Sequence, residues 1–297
     1  MTQTVPSPSA VDHLVLPVSS LDTARERLSQ LGFTVAADAS HPFGTKNACV
    51  FFADDTYLEP LAVGSREECL EAARTGNVFV ARNQAFRFRR GEGLSALVVK
   101  SGGAEADHAR FIEEGFTGGG LLRFSRQFVF PDGRAAEGSF RLAFAADLRA
   151  PDFFAFSCER LNPLPVDRGA LLVHANGAAG LARIVLTEGN PSDFQYLLET
   201  VLGQRDVTAH SFGLSIATAN ATVDVLTPDG FLAHYGGRAA GLERGLVGAA
   251  VVLATADLKV TSACLAANGI AYQTIGARLV VAPQPGQGVA FAFEELK

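Results

Sequence analysis

No stretch of this sequence approaches the roughly 18–20 consecutive apolar residues that a membrane-spanning helix needs, and no membrane partner is expected. A basic excess is also missing: 25 Lys and Arg stand against 31 Asp and Glu, for a net charge of −6. A general nucleic-acid binder would show a basic face. Only Arg87, Arg89 and Arg90 cluster, and they are expected in a solvated loop or on an anion-facing edge. The four cysteines, Cys49, Cys69, Cys158 and Cys264, form no CxxC pair. That excludes a zinc knuckle or a disulfide framework and fits the reducing cytoplasm. The opening residues, MTQTVPSPSAVDHL, have neither a basic nor an apolar signal region. They are expected to be a short disordered lead-in. A phosphate loop ending in Lys-Ser/Thr and a GxSxG elbow are both absent. Gly118-Gly119-Gly120 reads as a flexible turn, and no nucleotide cofactor is expected.

What is present is a repeat. The apolar strand His13-Leu14-Val15-Leu16 is followed by Ser19 and Ser20 as helix caps. Leu21, Ala24 and Leu28 then recur at helical spacing, and Gly32 stops the helix. Strands are predicted at 33–36, 48–53 and 57–63. The same order returns from Leu97-Val98-Val99, with strands near 122–129, 140–145 and 153–158. It returns again from Arg183-Ile184-Val185-Leu186, with a helix capped by Asn190-Pro191 and strands at 211–217, 222–226 and 231–235. A fourth round starts at 249–253 and ends with strands near 271–275, 278–281 and 289–293.

The fold class is therefore α+β, built from four βαβββ modules. One module exposes an apolar sheet face and must pair with another, so the 297 residues divide into two domains. The first spans 11–165, with modules 11–63 and 94–162. The second spans 178–297, with modules 178–236 and 246–297. The Pro/Gly/Ala-rich stretch 163–180 separates them. The link 64–93 carries a helix suggested by Glu67, Glu68, Leu70 and Glu71.

The runs Val11-Asp12-His13-Leu14-Val15, Phe43-Gly44-Thr45-Lys46-Asn47 and Tyr57-Leu58-Glu59 resemble the vicinal oxygen chelate superfamily, and its glyoxalase-like branch above all. So do Phe124-Ser125-Arg126, Pro131-Asp132-Gly133, Ala150-Pro151-Asp152-Phe153-Phe154 and Cys158-Glu159-Arg160-Leu161-Asn162-Pro163. The resemblance is best over 11–165. Four modules in one chain also resemble the extradiol dioxygenases. The resemblance implies two cup-shaped domains and, inside a cup, a divalent metal such as Zn, Ni, Mn or Fe. It would be held by four side chains from the first and last strands of each module. It also implies a small-molecule ligand and a homodimer.

By that resemblance His13 and Glu59 are the metal ligands and Glu59 the catalytic base. Both lie in apolar strands, where an unpaired charge is costly; the alternative is a structural His–Glu hydrogen bond. The second module offers Ala96 and Phe156 at the corresponding places, so two ligands of four are missing. Strand alternation puts Phe154, Phe156, Cys158 and Arg160 on one face. Arg160 has no acceptor and cannot ligate a cation; it can pair with Glu59 or clamp an anionic group. Arg126 is a second candidate anion contact, Asn47 a candidate to orient an oxygen, and His41 a residue of the cup mouth. Cys158 is expected to be a buried thiol lining the site.

The second half offers Arg183 and Ala233 where the first has His13 and Glu59, with Ala250 in the fourth module. Glu294 and Glu295 read as a solvated terminus. This lack of a two-His, one-Glu set argues against ring cleavage. Three readings stand: a metal-assisted lyase or isomerase at His13 and Glu59; a metal-free binding protein of the bleomycin-resistance type, using Arg160 and an aromatic-lined cup; or a relic in which Glu59 bonds Arg160 in a closed cavity.

Overall fold

The computed structural model describes residues 8–129, 135–162, 168–237 and 244–296. The Pro131-Asp132-Gly133 run, Pro163 and residues 1–7 of the lead-in lie outside them. Strand β1 (Val11–Pro17) is buried throughout. Helix α1 (Leu21–Gln30) starts where the Ser20 hydroxyl accepts the Thr23 N–H, and buries Leu21, Ala24 and Leu28. The module closes with β2 (Ala39–Ser40), β3 (Thr45–Asn47), β4 (Val50–Phe51) and β5 (Tyr57–Val63). Of the strand expected at 48–53 only Val50–Phe51 forms, as β4, and β3 is a separate short strand before it. Its ladder falters at Pro60, which accepts from the Ala48 N–H but has no N–H to return. The strand expected at 33–36 does not form. The Thr34 N–H and hydroxyl are taken by His174 and the Val173 carbonyl instead.

Two helices link the first pair of modules: α2 (Arg66–Arg74), as expected, and α3 (Val78–Arg90), which was not. Asn77 caps α3 by accepting from Val80, and Gly91 ends it. Arg87, Arg89 and Arg90 therefore sit on a helix. Arg87 donates to the Val18 carbonyl, and Arg89 and Arg90 hold the Asp152 carboxylate at 2.5 and 2.6 Å. They latch α3 over the sheet. The second module follows as β6 (Ala96–Ser101), α4 (Ala104–Glu113), β7 (Leu122–Val129), β8 (Ala135–Ala145) and β9 (Phe154–Arg160).

The third module is β10 (Ala178–Thr187), α5 (Gln195–Leu202), β11 (Val207–His210), β12 (Gly213–Ala217) and β13 (Thr222–Leu226). The segment expected as its last strand, 231–235, is instead helix α6 (Pro228–Tyr235). The Thr227 side chain accepts from Gly230, Pro228 occupies the first turn, and Gly236 closes the end in the left-handed conformation. The fourth module is β14 (Val247–Thr255), α7 (Leu258–Ala267), β15 (Gln273–Ile275), β16 (Arg278–Val281) and β17 (Ala290–Glu295).

Each half is one curved sheet. The first runs β2-β3-β5-β1-β6-β9-β8-β7, with β4 also on β5. The second runs β11-β12-β13-β10-β14-β17-β16-β15. In both, the first strands of the two modules pair antiparallel at the centre, each flanked by the parallel last strand of its own module. A single apolar core joins the two halves: Leu14, Leu28, Phe33 and Phe111 pack with Leu197, Phe291 and Phe293. At this joint Gly32 has φ +88°, and a Cβ there would lie 2.5 Å from Cys264 Sγ. The concave face of the first sheet has its own cluster, in which Val15, Val98, Phe144, Phe154 and Phe156 pack with Phe79 and Val80 of α3. No helix among the described residues is long and apolar enough to cross a membrane.

Candidate functional site

Alternation along β1 sends Leu14 and Leu16 to the shared core and His13 and Val15 to the concave side. The β1–β6 ladder breaks just before His13. Val11 faces Val99 and His13 faces Val98, which leaves Asp12 as an extra residue in a bulge. Without the bulge, alternation would separate Asp12 from His13. With it, Asp12 is fully buried and its carboxylate accepts from His13 Nδ1 at 2.7 Å. Arg160, at the end of β9, donates to both Asp12 oxygens at 2.7 and 2.9 Å. Arg160 therefore pairs with Asp12 and not with Glu59, which removes the mark expected of a relic.

The second half secures the bulge. Strand β5 begins opposite His13, so Val11 has no strand partner on that side. The Asn220 side chain takes the place of one, accepting the Val11 N–H at 2.8 Å and donating to the Val11 carbonyl at 2.9 Å. Asn220→Ala leaves both groups without these bonds and is expected to cost about 1–3 kcal/mol of stability. Urea denaturation checks this; an unchanged midpoint would show that the amide does not hold the bulge.

Glu59, on the strand parallel to β1, is buried at 5% exposure. One carboxylate oxygen lies 3.5 Å from His13 Nε2. The other accepts from the Asn47 amide at 2.6 Å and lies 3.7 Å from His41 Nε2. His41 Nδ1 lies 2.9 Å from the Thr45 hydroxyl, and its ring stacks on Phe43. Tyr57 stacks on His13 with ring centres 4.2 Å apart. A carboxylate is thus held between two imidazoles, one of them backed by a second carboxylate.

Their protonation differs because their surroundings differ. Burial would raise the Asp12 carboxyl, but the His13 hydrogen bond and charge, together with Arg160, hold it well below the usual range. Burial would also raise Glu59; His13, His41 and the Asn47 amide bring it down to about 2. Burial works against charge on His13, yet Asp12 and Glu59 carry its pKa above the ordinary value. For His41 burial wins, pushing it down to about 4 against the attraction of Glu59. At neutral pH the site holds two carboxylates, a protonation-prone His13 and a neutral His41.

These groups border a small cavity of about 40 Å³, room for no more than a few water molecules. Among the residues expected at the site, His13, His41, Glu59, Arg126, Phe156 and Cys158 line it. Asn47 reaches it through Glu59. Phe154 does not: it is covered by α3, with the Arg82 guanidinium 5.4 Å from its ring centre. Arg126 lies against the Phe140 ring at 5.8 Å. The Cys158 thiol is pushed up to about 12 by burial, so it is no nucleophile at neutral pH. Asp12, Tyr57 and Phe79 were not anticipated. An acidic residue inside the apolar run Val11-Asp12-His13-Leu14 was the one local signal for Asp12.

A cation held by four side chains does not fit this residue set. The second module turns Ala96 and Phe156 to the corresponding places, as the registers Ala96↔Phe154 and Val98↔Phe156 confirm. Among the described residues no three His, Cys, Asp or Glu side chains are placed to share a metal ion. In the second half the equivalent register is Arg183↔Thr222. The place of Glu59 therefore falls on Asp224 and not on Ala233, because 231–235 is a helix. Arg183 pairs with Asp224 at 3.2 Å and with Glu294 at 3.3 Å. Glu294 also binds Arg278 at 2.8 Å, so it is a member of the second cup and not a solvated terminus.

Residues 11–202 match a family model described as a glyoxalase-like domain. A search of curated proteins finds no match. Among solved structures, a hypothetical protein from Staphylococcus aureus superposes with a TM-score of 0.67 at 12% identity, over 97% of this chain and 99% of that one. A mutant of 4-hydroxymandelate synthase from Streptomyces coelicolor gives 0.62 at 13%, over 98% and 93%. The Mn(II)-bound glyoxalase from Novosphingobium aromaticivorans gives 0.55 at 10%, over 97% and 82%. At these identities the likeness is one of fold.

Proposed function

The chain belongs to the glyoxalase-like domain family, within the vicinal oxygen chelate superfamily, and from that premise we propose that its first cup moves protons on a small oxygenated molecule. The observation that carries this reading is the buried Glu59 carboxylate set between His13 and His41, with Asp12 behind His13. The reaction class is isomerisation or lyase chemistry next to a carbonyl. Glu59 takes a proton from the carbon beside the carbonyl; the electron pair of that C–H bond forms a C=C bond, and the π pair of the carbonyl moves to its oxygen. The Nε2 proton of His13 goes to that oxygen, giving an enediol. Glu59 then returns its proton to the neighbouring carbon while the hydroxyl on that carbon gives its proton back to His13 Nε2 and becomes the new carbonyl; this completes an isomerisation with no co-reactant consumed. Asp12 keeps the His13 ring oriented and basic, as a carboxylate does for a working histidine. No step is routed through a metal, because the donor set falls short of the four-point site that the resemblance implies.

The cavity size limits the substrate to a molecule of a few heavy atoms, with Phe79 and Phe124 on its wall. The metal-free binding reading is less well supported. Its anion clamp, Arg160, is already bidentate with Asp12, and Phe154 lies under α3. The test is proton exchange in D2O with hydroxyacetone, dihydroxyacetone and acetoin, followed by NMR. Enzyme-dependent exchange that disappears in folded Glu59→Gln and His13→Gln supports the proposal. Exchange that survives in Glu59→Gln, or none with any of the three, would overturn it.

A further inference from the structure

The second cup contains a larger cavity than the first, about 220 Å³ against about 40 Å³. Side-chain size accounts for the difference. In the first sheet, Ala96 and Val98 face Phe154 and Phe156. In the second, the equivalent positions Ala250 and Val252 face Ala290 and Ala292. Two alanines thus stand where the first cup has two phenylalanines. The floor of the space is Ala249 and Ala290, its walls are Phe231 and Tyr235 of α6 with Tyr272, and Gln273 is at its mouth.

Three features define what fits. The first is size: an apolar cavity of about 150 Å³ is enough to take benzene, so this one accommodates a substituted single ring. The second is charge. The ionic groups of this cup satisfy one another, Arg183 with Asp224 and Glu294, and Arg278 with Glu294. Two arginines and two carboxylates cancel, and none of the four lines the cavity among its described residues. A charged ligand would lose its hydration there without a counter-charge. The third is polarity. The Tyr235 side chain lines the cavity and is 3% exposed. Burial keeps this phenol protonated, so its hydroxyl can donate to an acceptor on a ligand.

We infer that the second cup is a binding site for an uncharged, flat, single-ring aromatic molecule bearing one hydrogen-bonding substituent. The site does not depend on the chemistry proposed for the first cup. It gives the second half a role beyond holding the bulge at Val11. Aromatic walls on two sides favour a ring over an aliphatic chain of the same volume, because rings gain from offset and edge-on contacts.

The experiment uses the full chain and three probes: phenol, toluene and benzoate. Isothermal titration should show phenol binding at least tenfold more tightly than benzoate. Tyr235→Phe should weaken phenol severalfold and leave toluene unchanged. Ala290→Phe, which restores the side chain of the first cup, should weaken both tenfold or more. Crystals soaked with 4-bromophenol should give an anomalous bromine peak between Phe231 and Ala290. This last measurement needs no variant and so stands even if Ala290→Phe fails to fold. A bromine peak only in the first cup or nowhere, or folded Ala290→Phe binding phenol like the parent, would overturn the inference.

Discussion

Asp12→Ala is expected to lower the free energy of unfolding by about 3–5 kcal/mol, the usual result of removing one partner from a buried, hydrogen-bonded charge pair. Asp12 accepts two bonds from Arg160 and one from His13, while Glu59 lies 3.5 Å from the other His13 nitrogen. Its loss strands a guanidinium and an imidazole N–H at the base of the cup. Arg160 can recover part of the cost by turning to solvent, since its side chain is 32% exposed. His13 is only 5% exposed and cannot. Arg160→Met should cost less, because Asp12 keeps His13 as a partner. The double variant Asp12→Leu with Arg160→Met should lose less than the sum of the two single losses, since the guanidinium is then no longer left unpaired. Urea unfolding with an unchanged denaturant slope measures all three. A loss below about 1 kcal/mol in Asp12→Ala would show that the cluster is not the electrostatic keystone described.

The second large effect is acid sensitivity seated at His41. Its folded pKa of about 4 lies below the ordinary 6.5, so the folded state resists a proton that the unfolded chain accepts. The stability this gives is complete above pH 6.5 and is lost as pH falls through 4. At about 1.4 kcal/mol per pKa unit the loss is roughly 3 kcal/mol. Glu59, lowered from 4.5 to about 2, adds a further loss below pH 4.5, and Asp12 acts in the same direction below the ordinary 3.8. His13 has the opposite sign. Its raised pKa contributes stability that is complete below pH 6.5 and fades as pH rises through the folded value. Stability should therefore peak near pH 6.5–7. His41→Gln should flatten the decline between pH 6.5 and 4 and leave the alkaline side alone. An NMR titration that places His41 above 6, or His13 below it, would contradict this account.

Much of this was legible in the chain and some of it could not have been. The helix of the first module shows in Leu21, Ala24 and Leu28, and its stop in Gly32, because helical period and cap chemistry are local. His13 and Glu59 stand out because charged groups in apolar strands are costly. Other signals were local but overlooked. Thr227-Pro228 is a cap followed by a first-turn proline, and reading 231–235 as a strand moved the counterpart of Glu59 from Asp224 to Ala233. Asn77 is a helix cap of the same kind ahead of α3.

By itself the sequence determined the four modules, their order, and the two strands that bring an imidazole and a carboxylate into one cup. These follow from periodicities of two and 3.6 residues, which neighbouring side chains impose on one another. Only the tertiary structure decided that Asp12 turns inward, that Arg160 pairs with it, and that Asn220 holds the turn. A bulge is set by the mismatch between two strands, and the partners lie 148 and 209 positions away along the chain. No local pattern encodes which distant group will meet a buried charge; that depends on which one the packed sheets bring within bonding distance.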